Sequence, residues 1–431
     1  MDHQDNGRGG RISRGDLLRG IGSAAAVAGG VPLLGAAGSS DIASIAKLLN
    51  VDTKHTGKGM TFDLGAVFPV TGGGNIYGSR FADVPKLAFK HIEAMGGPKF
   101  NLIVKDNKSG DPQAGVQAVR ELGFAKVPMM LSSYVADLGA MLSGIKQYKI
   151  FSLDGTGGTS LFAKERPYFF GTIAVTPNDA LSGMVKYIAL KMPQVKRVAS
   201  VGWDLGGLSD MVQDEAKTHF ATSNLLLATD ERTKIGTTDY SVSIQKIKAS
   251  QADLILLAVY AEDVGYFMKQ YATSGINKPV ITYSNTAASR QIAGKAYDGL
   301  YFAFDYFDAS KPSNPWAKFF VSEYNKNIGG GTPENYGANT YEDVFTIWTC
   351  IQRVLAKGGN PKDGAQLEAA LLSNPNVPSL YGGTASTLGV MSFDKTSHSV
   401  KHRPMSMSQY KNGKTTVLAT YDIDGSNFKL V

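Results

Sequence analysis

Polar and aromatic side chains recur immediately after apolar runs along this chain, and their types set the chemistry open to it. Ser132, Ser133 and Tyr134 follow Met129, Met130 and Leu131, while Asp154, Gly155 and Thr156 follow Phe151, Ser152 and Leu153. Farther on, Trp203 and Asp204 follow one apolar run, Tyr260, Glu262 and Asp263 another, and Ser284 and Asn285 a third. Hydroxyls and unpaired backbone N–H groups hold a carboxylate. A buried carboxylate pairs with an ammonium group, and aromatic rings close over an apolar side chain. The mixture suits non-covalent recognition of a small zwitterion or polar organic molecule. Taken singly, each residue would serve equally well as a helix cap or turn former.

Bond-making chemistry finds little support. The histidines His3, His55, His91, His219, His398 and His402 form no HExxH or other tight metal spacing; the last two are four apart, but in a turn-rich stretch. No GxSxG nucleophile elbow occurs, and no base–nucleophile pair can be built on Asp154 or Glu262. Glycine-rich stretches TGGGNIYG at 71–78 and GTGGTS at 155–160 follow apolar runs, where open α/β sheets receive ligands. Both lack GxGxxG spacing and the lysine of a Walker loop, and DLGG at 204–207 reads as a turn. An α/β oxidoreductase or hydrolase using these loops is the weaker expectation, and neither cofactor nor metal is expected.

The elements that must carry these loops alternate in type. Apolar, β-favouring runs at 61–70, 100–105, 128–132 and 149–153 are separated by helical periodicity at 81–95, 112–122 and 137–145. Asp111-Pro112 supplies a cap and a pre-set φ for the second of these helices. The rhythm repeats with strands at 197–201, 225–228, 253–259, 279–284 and 299–304, and with helices at 179–191, 209–220, 240–249 and 261–271. Helices follow at 315–328 and 339–357, and residues 388–431 read as short strands and turns. Strands flanked by helices imply parallel sheets covered on both faces. Two α/β blocks meeting near residues 175–178 are expected.

Composition agrees with a two-domain globular chain: 431 residues, 43% of them hydrophobic, supply two cores. The net charge of +7 is spread without a basic tract of five residues, which argues against nucleic acid as a partner. The lone Cys350 allows no intramolecular disulfide and reads as a buried helix residue. Residues 1–38 look like an export signal: RGGRISRGDLLR at 8–19, then a mild apolar run, then Ala36 and Ala37. The segment resembles a twin-arginine signal with Gly15 where the second arginine would stand. Its apolar run is too short and interrupted for a stop-transfer helix. With no cysteine near the small residues, a soluble periplasmic product is expected, without membrane insertion once the signal is removed.

Longer motifs carry a family resemblance over residues 61–431. GAVFPVTGGGNIYGSRFADVPKLAFKHIEAMGG, VKDNKSGDPQAGVQAVREL, FFGTIAVTPNDA and DYSVSIQKIKASQADLILLAVYAEDVGYFMKQYATSGI occur in the order and spacing seen in branched-chain amino acid (Leu/Ile/Val-binding) solute-binding proteins of ABC transporters. The resemblance implies a type 1 periplasmic-binding-protein fold: two doubly wound parallel-sheet α/β lobes joined by a multi-strand hinge. It places a linker at 39–60, the first lobe at 61–176, the second at 177–304, a return segment mainly of the first lobe at 305–384, and final strands mainly of the second lobe and hinge at 385–431.

The same resemblance assigns roles. Ser133 and Thr156, with Ser132 and Gly155 beside them, would hold the ligand's carboxylate and amino groups, and Tyr77 would touch its side chain. Asp154 stands where a small residue is usual, so it would add a counter-charge for an amine or change the ligand class. Trp203 and Tyr260 would close the site from the second lobe, with Glu262 as a polar partner. The acidic residue that clamps the ammonium group in amino-acid binders would fall near Ser284 and Asn285, where no carboxylate stands. The implied ligand is therefore a small polar solute: an amino acid, including a branched-chain one, or a related amide or organic acid. The implied partner is an ABC membrane permease; a ligand sensor of the same fold is the alternative role.

Overall fold

A computed structural model describes residues 39–431 apart from residues 73, 134, 159, 176 and 330, with the side chains of residues 39, 40, 75–80 and 135 also outside the description. The expected export signal at 1–38, including its twin-arginine-like stretch, lies outside the described residues.

The chain opens with helix α1 (Ser39–Leu48), then alternates β1 (Thr61–Phe68), α2 (Asn75–Ala94), β2 (Lys99–Asp106), α3 (Pro112–Phe124), β3 (Met129–Ser132), α4 (Val135–Tyr148), β4 (Phe151–Asp154) and β5 (Phe169–Gly171). These strands form one parallel sheet in the order β2-β1-β3-β4-β5. β1 is buried over its last five residues, which explains its unbroken apolar run. Asp111 caps α3 by accepting the N–H groups of Gln113 and Ala114, with Pro112 at the first helical position. Residues 39–60, read as a linker, include α1, whose Ile42 and Ile45 are buried in the core.

The second lobe runs α5 (Asn178–Lys191), β6 (Arg197–Trp203), α6 (Gly207–Thr222), β7 (Leu226–Thr233), α7 (Ser241–Ala249), β8 (Leu254–Ala258), α8 (Glu262–Tyr271), β9 (Val280–Thr282), α9 (Ala287–Ala293) and β10 (Tyr301–Asp305). The chain then returns to the first lobe with α10 (Pro315–Asn327), α11 (Asn335–Ala356), α12 (Gly364–Ser373) and the small pair β11 (Asn376–Ser379) and β12 (Gly389–Ser392). It ends with β13 (Pro404–Lys411), β14 (Lys414–Asp422) and β15 (Lys429–Leu430). The second sheet is ordered β15-β14-β13-β10-β9-β8-β6-β7. It is mixed rather than purely parallel, because β13 pairs antiparallel with β10 and then with β14. The stretch expected as short strands and turns thus holds two strands of 8 and 9 residues. Asn412 and Gly413, both at positive φ, make the tight turn between them.

The chain crosses between the sheets three times, near residues 172–177, 306–314 and 393–403. One buried polar knot ties the three crossings together. Asp305, at the second, accepts the N–H of Ala174 from the first at 3.1 Å. Arg403, at the third, lies 3.5 Å from Asp305 and donates to Glu342 at 3.0 Å and to Asn339 at 2.7 Å, both on α11. Its guanidinium stacks 4.1 Å from the ring centre of Tyr381. Arg403 is 1% exposed, so its charge has no water to turn to.

Removing the cation would strand two carboxylates out of water. Arg403→Met is expected to destabilise the fold by about 3–5 kcal/mol, read as a lower urea midpoint with far-ultraviolet dichroism retained in buffer.

Candidate functional site

β3 and β4 end side by side, with Ser132 in register with Asp154, so the loops that follow leave adjacent strand tips. Asp154 is fully buried. One of its oxygens accepts from Ser132 Oγ at 2.7 Å; the other accepts the backbone N–H groups of Thr156, at 3.1 Å, and of Gly157. Its carboxyl therefore shapes the turn at 154–157, and burial pushes its pKa up to about 6. Gly155 has no room for a side chain, since an added Cβ would lie 2.6 Å from Asp343 Oδ2. Ser133 is buried and reaches the Val67 carbonyl only at 3.4 Å. Thr156 Oγ1 is buried without a hydrogen-bond partner.

Tyr77 is placed in the first turn of α2, with its side chain outside the description; Tyr134 lies outside the described residues altogether.

The second lobe answers with an aromatic wall. Trp203 closes β6, and its indole N–H donates to Asp263 Oδ2 at 2.7 Å. Burial raises the Asp263 carboxyl to about 6. The Trp203 ring lies 5.2 Å from that of Tyr260, which stacks at 6.4 Å on Tyr283. These three line a cleft that also reaches Gly158, two residues beyond Thr156 in the first lobe. Behind Tyr260 the chain turns sharply: Ala261 has φ +54°, a conformation costly for an L residue, and its N–H donates to Ser284 Oγ at 3.3 Å. Glu262, the first residue of α8, is half-buried, and burial raises its carboxyl.

Asn285 sits elsewhere. Its side-chain oxygen accepts from Arg290 at 2.7 Å, and it lines an adjoining groove, bounded by β10, β13, β14 and the start of α11, that shares Tyr283 with the cleft. The structure therefore groups Trp203 and Tyr260 in one cleft that reaches the loop after Thr156, and it sets Asn285 apart.

Three residues of the site region escaped the sequence reading. Tyr283 was absorbed into an apolar strand, yet its hydroxyl is buried without a partner. Glu215, in the middle of α6, accepts from Ser160 of the first lobe at 2.6 Å, and its other oxygen is unpartnered. Tyr336 from α11 is partly buried against the second lobe, its hydroxyl engaging Ser284 and its ring 5.6 Å from that of Phe304. Only the Tyr–Ser neighbours at 283–284 left a sequence trace.

Among the described residues, no group of three or more His, Cys, Asp or Glu is arranged to hold a metal ion, and no helix is long and apolar enough to cross a membrane. Two open lobes of α/β type with a cleft between strand tips define a solute-trapping architecture. The sequence profile of the family described as periplasmic binding protein matches residues 61–415. The chain belongs to the periplasmic binding protein family, and that membership supports an exported, periplasmic location.

It is 21% identical over 376 residues to Leu/Ile/Val-binding protein homolog 8 of Brucella abortus (strain 2308), covering 81% of this chain and 88% of that one. Its fold is similar to that of the branched-chain amino acid binding protein LivJ of Streptococcus pneumoniae, solved with isoleucine (TM-score 0.69, 22% identity, 84% of this chain and 99% of that one). It is also similar to an R. palustris solute-binding protein solved with benzoate (TM-score 0.72, 15% identity, 86% and 98%).

Several buried carboxyls give the protein a distinctive pH response. Burial raises Asp154, Asp263 and Asp305 to about 6 and Asp179 to about 8. The folded chain binds these protons more tightly than the unfolded chain does, so this contribution to stability is greatest below the unfolded carboxyl value of 3.8, falls as pH rises from there, and is fully lost above the folded values. The melting temperature is expected to be higher at about pH 5.5 than at about pH 8, and Asp179→Asn should flatten the upper part of that decline.

Proposed function

We propose that the solute is a small carboxylate with an apolar body, either an amino acid, including a branched-chain one, or an organic acid, and that residues 1–38 direct the chain's export by a twin-arginine-like route. The observation that carries the ligand reading is the unpartnered, buried Thr156 Oγ1 beside a loop that meets the aromatic wall of Trp203, Tyr260 and Tyr283. A buried hydroxyl without a partner is costly unless a ligand supplies one. Thr156 and Ser133 would bind the carboxylate on the first lobe, and the aromatic side chains would cover the apolar body as the lobes close by hinge motion. Closure desolvates the polar contacts and presents a joined surface to the permease. Asp154 serves this reading indirectly: with both oxygens turned inward it holds the 154–157 turn in shape rather than offering a counter-charge for an amine. Solved relatives with isoleucine and with benzoate support the same two chemistries.

Titration calorimetry with leucine, isoleucine, benzoate and 4-hydroxybenzoate tests this. At least one should bind, and Thr156→Ala should weaken it by about 1–3 kcal/mol without moving the melting temperature. Binding should change the fluorescence of wild-type protein but not of Trp203→Phe, since Trp316 and Trp348 are fully buried. Failure of all four to bind, or full affinity in Thr156→Ala, would remove the carboxylate reading.

A further inference from the structure

The cleft does not stop at its aromatic mouth. Behind Trp203, Tyr260 and Tyr283 it continues into the second lobe, between α6 and the sheet face made by β6, β7 and β8. Its roof is Leu208, Val212 and Ala216 of α6, and its floor includes Ser200, Gly202 and Ala258. Strand register explains why the space is open. Gly202 pairs with Ala258 and Ser200 with Leu256, so small residues occupy the floor near the strand tips. A Cβ built on Gly202 would find nothing nearer than the Ala258 methyl and carbonyl oxygen, both at 3.8 Å. Three other glycines inside strands and helices, Gly65, Gly115 and Gly171, are packed tightly, since an added Cβ there would collide within 3 Å. Protein interiors normally fill such gaps.

The far end of the space asks for no charge. Asp230 there accepts from Gln213 at 2.6 Å and from Arg232 at 3.0 Å, so its carboxylate is already partnered. Among the buried side-chain atoms lining the space, the Tyr283 hydroxyl at the mouth has no hydrogen-bond partner.

We infer that this recess is a specificity annex that receives the apolar tail of the solute, which selects carboxylates carrying a phenyl group or a chain of several methylenes over compact ones. The inference deepens the proposed function and rests on the cleft being the solute site. Each buried methylene would contribute roughly fourfold in affinity, so the annex would separate long from short acids without any charged contact.

The test uses a probe that needs no carboxylate, 4-fluorotoluene, followed by fluorine NMR on the whole protein, beside calorimetry with 3-phenylpropionate and acetate. Gly202→Leu and, independently from the paired strand, Ala258→Met fill the recess. An unchanged or raised melting temperature shows that the filled protein is folded, and the second variant serves if the first is not. Wild-type protein should bind 4-fluorotoluene, either filled variant should weaken it by at least about tenfold, and Thr156→Ala should leave it unchanged. All three substitutions should weaken 3-phenylpropionate, which should bind wild-type protein far better than acetate does. No 4-fluorotoluene binding, or equal binding in wild-type and filled proteins, overturns the annex. If 4-fluorotoluene behaves as expected but 3-phenylpropionate is indifferent to Thr156→Ala, the annex stands and the carboxylate reading falls.

Discussion

The guanidinium of Arg403 sits out of water among Asp305, Glu342, Asn339 and the ring of Tyr381, and the arrangement of the two lobes depends on it. Three separate crossings of the chain have to meet at one place for two sheets to face each other across a gap. A purely apolar junction would hold them together but would not fix their register, because dispersion contacts are non-directional. A fork of N–H donors matched to carboxylates on different segments has few alternative arrangements. The cost of taking these charges from water is met inside the knot, where Glu342 also accepts from Ser379 Oγ at 2.7 Å. Asp305 remains only partly compensated, which is why burial still lifts its carboxyl.

From this junction the two walls of the cleft inherit different characters. On the first lobe the parallel register of β3 and β4 delivers short polar side chains and a tightly turned backbone to one spot. On the second, wider side chains stand at the tips of β6, β8 and β9, and the positive φ of Ala261 swings the chain away just after Tyr260. One wall offers hydrogen bonds, the other area. In the proposed binding mode, a solute meeting both would lose water from its polar end and its apolar end in the same movement. The contact of Ser160 with Glu215 and the seat of Tyr336 against Ser284 show that the walls already touch on either side of the gap.

How much of this was written plainly in the chain differs from element to element. The alternation of apolar runs with helical periodicity reveals two α/β lobes, because a stretch buried on both faces reads as a continuous apolar run, as over the last five residues of β1. Asp111-Pro112 announced α3, since a cap and a fixed φ act within a few residues. Asn412-Gly413 is an equally local hairpin signal, but the tail's many Ser, Gly and Asn residues read as turns throughout and hide the long β13–β14 pair it joins. The knot was not legible. Asp305, Asn339, Glu342 and Arg403 look like ordinary surface residues until the fold brings them together, and nothing local marks a charge destined for burial. Asp154 shows the same limit, since its type suggests a partner for an amine while one of its oxygens is engaged by Ser132 of the neighbouring strand and the other by the backbone of its own loop. Asn285 follows a strand as Trp203 and Tyr260 do, yet it lines the adjoining groove that shares Tyr283 with the cleft, because sequence places a residue at a strand tip without saying which hollow it faces.

Cys350 carries a practical consequence. It is the chain's single cysteine, fully buried in α11, and burial raises its thiol to about 12. A thiol kept protonated and out of solvent is a poor nucleophile. A cysteine engineered onto either rim of the gap would therefore take up a maleimide dye alone, with no background to subtract and no native disulfide to disturb. The chain is, in that sense, already prepared to become an optical reporter of its own opening and shutting.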